Sequence, residues 1–294
     1  MLRKIASYLF ALLFLVGLGV LTYPTISNQW NTYRQNQLIS TYQETVAAMT
    51  PEDFSTEWEQ ANALNATITE NNIYGDVFGE DEEDNEMSAY RQALNIRGDG
   101  IMGYLTIPKI NVKLSIYHGT ADSVLQTGVG HLNGTSLPIG GQGTHSVLAA
   151  HRGLPSSKLF TDVDQLEEGD VFYIKVLDET LAYQVDQILP MVESTDMDTL
   201  SEALAIDDNE DYVSLFTCTP YGVNTHRLIV RGTRIPYEPT EITDDNTPAG
   251  VVVEAVKDYY MLYLIAGLVV ALILILLLRL IFRRKRNKGV KEDS

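Results

Sequence analysis

From Gly100 onward the chain is a succession of short β-rich runs between turn residues: GYLTIP, VKLSIYH, HSVLAAHR, DVFYIKVL, LAYQVDQIL, DYVSLFTC and RLIVRGTRI. Seven or eight strands in about 135 residues, with only ADSVLQTG and SKLFTDVDQL as brief helical candidates, leave a closed barrel or a sandwich as the fold. The stretch is long enough for one substantial core, and no internal repeat divides it.

The two ends of the chain limit where that core resides. Ile5 to Leu21 is 17 uncharged, mostly apolar residues preceded by Arg3 and Lys4. Because the run gives way at Thr22-Tyr23-Pro24 to a polar stretch with no cleavage site following it, it reads as a retained membrane anchor. Tyr259 to Leu278 is a second uncharged run, 20 residues long, followed by RLIFRRKRNKGVK. By the positive-inside rule both termini are cytoplasmic and residues 24–258 face outward, with membrane lipid as a partner of the chain.

Charge narrows the function. Nine of the 21 Lys and Arg residues lie at the membrane ends, which leaves 12 against 37 acids between them, a net −25. So acidic a surface excludes nucleic acid as a partner. A single cysteine, Cys218, excludes an internal disulfide framework.

The expected organisation is therefore a cytoplasmic start and anchor over 1–23, a helical extension over 24–99, a β-domain over 100–238, a tether over 239–258, a transmembrane helix over 259–282 and a basic tail over 283–294. Within the extension, Thr50 followed by Pro51, Glu52 and Asp53 is a helix start with N-cap, first-turn proline and acidic first turn. NNIYGDVFGEDEEDNE follows, with six carboxylates between Glu80 and Glu86, a composition that packs no core.

A catalytic thiol needs a proton-handling partner and a positive group for the developing oxyanion. The histidines are His118, His131, His145, His151 and His226. His151 ends the apolar run HSVLAAHRG at a glycine turn, where a side chain is presented at a barrel rim. His226 and Arg227 are adjacent, so on a strand only one of them shares a face with the thiol. The nine-residue gap from Cys218 to Arg227, with TPYGVN as turn, predicts neighbouring strands that bring these two together. Singly, each residue is ordinary: a lone Cys is usually a buried hydrophobe and a strand-end His usually structural.

Their order is less ordinary. LAAHRG, then SLFTCTPYG, then THRLIVRG resembles the sortases, cysteine transpeptidases whose signature is a strand ending Thr-Leu-x-Thr-Cys with an earlier His and an Arg on the next strand. Here Ser214-Leu215-Phe216-Thr217-Cys218 carries a Ser for the first Thr. The segments GIMGYLTIPKINVKLSIYHGT and GVGHLNGTSLPIGGQGTHSVLAAHRGLPSSKLFTD extend the resemblance to the class C, pilin-polymerising branch.

That resemblance implies a mainly β fold, a closed sortase-type barrel of about eight strands with short helices, an N-terminal helical extension and transmembrane helices at both ends. It implies Cys218 as nucleophile, His151 as acid/base and Arg227 as oxyanion or substrate stabiliser. It implies a lid whose usual Asp-Pro-aromatic motif is here Asp76-Val77-Phe78, with Asp76 against Arg227 and Phe78 over the thiol. The implied reaction cleaves Leu-Pro-x-Thr-Gly-like signals between Thr and Gly and passes the Thr carbonyl to a pilin lysine, with pilin or surface proteins as substrates.

No cofactor or metal is expected, since one amide is exchanged for another and EDEEDNE lacks the ligand spacing and glycine of an EF-hand loop. NTPAG before the second run is not a sorting pentapeptide, so the chain itself is not expected to be attached to the wall. A cell-wall anchoring sortase with a peptidoglycan amine acceptor, or an inactive scaffold that binds pilins, are the alternative readings.

Overall fold

The computed structural model describes residues 2–71, 78, 88–239 and 267. The described residues up to Pro239 belong to one compact unit. The expected second span, the tether beyond Pro239, the basic tail, Asp76-Val77 and the acidic run Glu80–Glu86 lie outside the described residues.

Helix α1 is 47 residues long, Leu2–Ala48, and continues through Pro24 without a break. It is long and apolar enough at its start to cross a membrane. Helix α2, Pro51–Asn65, begins as the sequence predicts: Thr50 accepts from the Asp53 amide while the Asp53 carboxylate accepts from the Thr50 amide, a reciprocal capping box. Its Phe54, Trp58, Ala61 and Leu64 pack on the main core. Tyr42 of α1 is buried, donating to the Met102 carbonyl at 2.9 Å and accepting from the Leu177 amide at 2.8 Å. The end of α1 is thus fixed to the β-domain.

After the short helix α3 (Ala89–Gln92) come β1 (Ile101–Ile107), β2 (Val112–His118), α4 (Asp122–Leu125), β3 (Val129–His131), β4 (Thr144–Ala149), β5 (Val171–Val176), β6 (Glu179–Glu193), α5 (Met197–Ala203), β7 (Asp211–Thr219) and β8 (His226–Ile235). The strands close in the order β1-β2-β3-β4-β7-β8-β6-β5, with β5 returning to β1. The closed barrel, one of the two expected architectures, leaves no sheet edge open.

Alternation divides the side chains into two clusters. Leu148 and Ala150, Val213 and Leu215, Leu228 and Val230 join the main cluster, which includes residues of all eight strands. Val147 and Ala149, Phe216 and Ile229 point the other way, into a second cluster covered by Leu125 of α4, Leu200 of α5 and Leu204 just after α5. Cys218, His151 and Arg227, the expected site residues, fall on this second face.

Two sequence expectations differ from the structure. SKLFTDVDQL holds only a three-residue 3-10 turn, Val163–Gln165. Helix α5 forms where the sequence reading places no helix; Asp196, whose side chain accepts from the Thr199 amide, caps it.

Candidate active site

Cys218 is the penultimate residue of β7, and the antiparallel register sets it directly opposite Arg227 of β8. Directly opposed residues share a face, so thiol and guanidinium lie together while His226 points away. His226 is paired with Thr219 and Glu193, and its Nδ1 lies 2.8 Å from the Thr225 hydroxyl. Arg227 is buried, and its guanidinium donates to the Asn224 and His226 carbonyls at 2.9 and 2.8 Å. These bonds to the turn fix where the charge sits.

His151 reaches the same face by parallel pairing. Strand β4 runs beside β7 in register Ala149 to Phe216, so two residues further on His151 comes level with Cys218. The chain is held there beyond the strand end: the Ala150 amide donates to Phe216 at 3.2 Å, and the buried Thr217 hydroxyl donates to the Ala150 carbonyl at 2.7 Å. Thr217, the residue before the thiol, thereby positions the histidine segment. Arg152 fastens the other side, donating to the Thr161 carbonyl and the Thr219 hydroxyl at 3.1 and 3.2 Å and pairing with Asp164. Gly153 has φ +82°, a conformation that favours glycine, and a Cβ there would crowd the Tyr221 ring at 3.0 Å.

Asp122, which precedes His151 by 29 residues, carries no local signal of a role at the site. Its Oδ1 lies 3.4 Å from His151 Nε2, and its Oδ2 accepts from Gln126 at 2.5 Å. Only the fold brings these groups together. Phe78 stands over the site, its ring centroid 5.4 Å from that of His151, 6.0 Å from that of Phe216 and 5.4 Å from the Arg227 guanidinium carbon.

The other three histidines are buried. His145 Nδ1 faces the Ala205 carbonyl at 2.8 Å and therefore carries the proton, leaving Nε2 to accept from Ser214 at 2.8 Å. Ser214 is the signature's substituted position, and the hydroxyl it retains is the group in use. Burial holds His145 and His131 down to about 4, and His118 below its ordinary value. They are neutral structural groups at pH 7.

The sequence profile described as the sortase domain matches residues 105–235. A solved sortase C from Streptococcus pneumoniae, described with reference to catalysis and pilin substrate specificity, is 43% identical with a TM-score of 0.61, covering 68% of this chain and 97% of that one. Sortase C1 from Streptococcus agalactiae is 46% identical with a TM-score of 0.60, covering 69% of this chain and all of that one. This chain belongs to the sortase family. Within that family of enzymes it falls in the class C branch. Sortase SrtE1 of Streptomyces coelicolor is 30% identical over 144 residues, 46% of this sortase and 40% of the relative. This sortase spans between 40 and 61% of the length of the curated relatives it matches.

Proposed function

We propose that the protein is a membrane-held cysteine transpeptidase that cleaves Leu-Pro-x-Thr-Gly-like sorting signals between Thr and Gly and joins the Thr carbonyl to a lysine amine of a pilin subunit. The observation that carries this reading is the pairing of Cys218 with Arg227 on the face to which β4 delivers His151. The pilin acceptor is supported by class C relatives described for pilin specificity.

In this mechanism the Cys218 thiolate attacks the Thr carbonyl carbon, forming a C–S bond, and the oxyanion accepts hydrogen bonds from Arg227, whose charge is permanent. The C–N bond to Gly then breaks as the His151 imidazolium gives its proton to the departing amine. The lysine amine attacks the thioester, His151 takes its proton, and the new amide forms as the thiolate leaves. Asp122 acts through His151 as a positioning residue, fixing the ring.

Phe78 is proposed as the lid aromatic and Asp76 as its acidic partner toward Arg227, together covering the site until substrate displaces them. The organisation proposed around the barrel is an anchor within 1–23, a helical extension over 24–99, and a tether and second span after residue 238. Both termini are then cytoplasmic, and the catalytic domain is outside the cell membrane.

Incubation of the full-length enzyme in detergent with a pilin bearing a sorting signal should give lysine-linked ladders that Cys218→Ala abolishes. Cleavage with transfer only to peptidoglycan-type amines would replace the pilin acceptor by a wall acceptor, and absence of any acyl-enzyme would refute the enzyme reading.

A further inference from the structure

Beyond the apolar start, α1 has two unlike faces. One is docked: Gln35, Ile39 and Tyr42 are buried, Ser27 and Asn31 donate to the Ser156 carbonyl at 2.9 and 2.7 Å, and Asn28 accepts from the Lys158 amide at 2.8 Å. The other carries Tyr23, Ile26, Trp30 and Tyr33, between 44 and 61% exposed. Steps of three, four and three residues put these four on one stripe, nearly opposite the docked face. In the β-domain, by contrast, the exposed large apolar residues among those described are Met191, Tyr221 and Val223 alone.

The chemistry of the stripe changes along the helix. It is aromatic and aliphatic as far as Tyr33, whose ring lies 5.9 Å from that of Trp30, and the same face then continues as Gln37, Thr41 and Glu44. Leu21 to Tyr33 rises about 18 Å at 1.5 Å per residue. The 17-residue run Ile5–Leu21 gives about 25 Å, short of the roughly 30 Å hydrocarbon core, so the core reaches to about Pro24. Helical side chains lean back toward the N-terminus, which here is toward the bilayer. Ile26 then falls where headgroups begin, while Trp30 and Tyr33 start about 9 and 14 Å beyond Pro24 along the axis and lean back toward that layer, in which Trp and Tyr put ring in lipid and polar tip in water.

We propose that Tyr23, Ile26, Trp30 and Tyr33 form an interfacial stripe seated in the lipid headgroup layer, which sets the height of the barrel above the bilayer through the opposite face of the same helix. This rests on reading Ile5–Leu21 as a membrane span. The docked face is bonded to Ser156 and Lys158, five and seven residues after His151, so the stripe holds the loop that follows the catalytic histidine close to the membrane surface.

The chain has two tryptophans, Trp30 and Trp58, and Trp58 lies on α2. The test uses full-length wild type and Trp30→Phe in phosphatidylcholine vesicles, with and without phosphatidylcholine brominated at shallow or deep acyl positions. The expected result is wild-type emission that falls strongly with shallow bromines and less with deep ones, while Trp30→Phe emission, from Trp58 alone, is unchanged by either. Full-length protein that floats with vesicles but whose Trp30 is quenched by aqueous iodide and not by bromines would overturn the stripe and leave the span standing. Shielding from both quenchers would also overturn it, assigning the face to a protein partner such as a second copy. Failure to float would remove the span, and the stripe with it.

Discussion

Cys218 and Arg227 are direct partners across the β7–β8 ladder, so the distance between thiol and guanidinium is set by the sheet itself. A fixed fork of donors at this position is not reproduced by an ammonium group. Arg227→Ala should lower kcat/KM by about a hundredfold and Arg227→Lys by at least about tenfold, the scale of losing or degrading one oxyanion donor. His226→Ala, on the other face, should leave the rate nearly unchanged. Steady-state kinetics on a sorting-signal peptide checks all three.

Thr217 stands one residue before Cys218 and on the opposite face. Thr217→Val keeps the shape and leaves the Ala150 carbonyl without its buried donor, at a cost of about 1–3 kcal/mol. Because the lost bond holds the segment leading to His151, kcat should fall by about tenfold as well. Thr217→Ser should restore most of both, which separates the hydroxyl's role from packing.

Asp122 is mostly exposed, so its pairing with His151 is open to salt. Asp122→Asn should reduce kcat/KM by about two- to fivefold at low salt, converging on wild type near 1 M salt. A deficit independent of ionic strength would reassign Asp122 to packing of α4.

The Phe78 ring lies 5.4 Å from both the His151 ring and the Arg227 guanidinium carbon, which suits the proposed lid. A small thiol reagent should modify Cys218 faster in Asp76→Ala/Phe78→Ala than in wild type, and slower in Val77→Pro, where a fixed φ narrows the open ensemble. Equal rates in all three would show that the segment does not gate the thiol.

His131 and His145 titrate near 4 when folded against about 6.5 when unfolded. The unfolded chain therefore binds protons first as pH falls, and stability present above about 6.5 is lost down to about 4, by roughly 3 kcal/mol per histidine at most. Thermal unfolding between pH 7 and 4 should show this decline, and His145→Gln, less stable at pH 7, should decline less steeply.

Much of this could be read in the chain itself. Seven of the eight strands alternate strongly enough to be seen, and the Cys218–Arg227 pairing follows from a turn of fixed length between two such runs. Strand β3 was invisible because Val129–His131 is three residues beside Gly128, and it becomes a strand only by pairing with β2 and β4. Helix α5 had a readable cap in Asp196 but too short an apolar pattern. The contributions of Asp122, Thr217 and Arg152 depend on contacts across loops, which no local pattern encodes.

The bonds from α1 to Ser156 and Lys158 bear on how the enzyme is prepared without its apolar start. A fragment beginning after Asn31 would lack Ser27, Asn28 and Asn31, and with them three fasteners of the loop that follows His151. Such a fragment keeps the whole barrel and Tyr42, so it should fold, yet its turnover would understate that of the intact chain. Fragments for assay are better begun near Thr22, before the first of these residues.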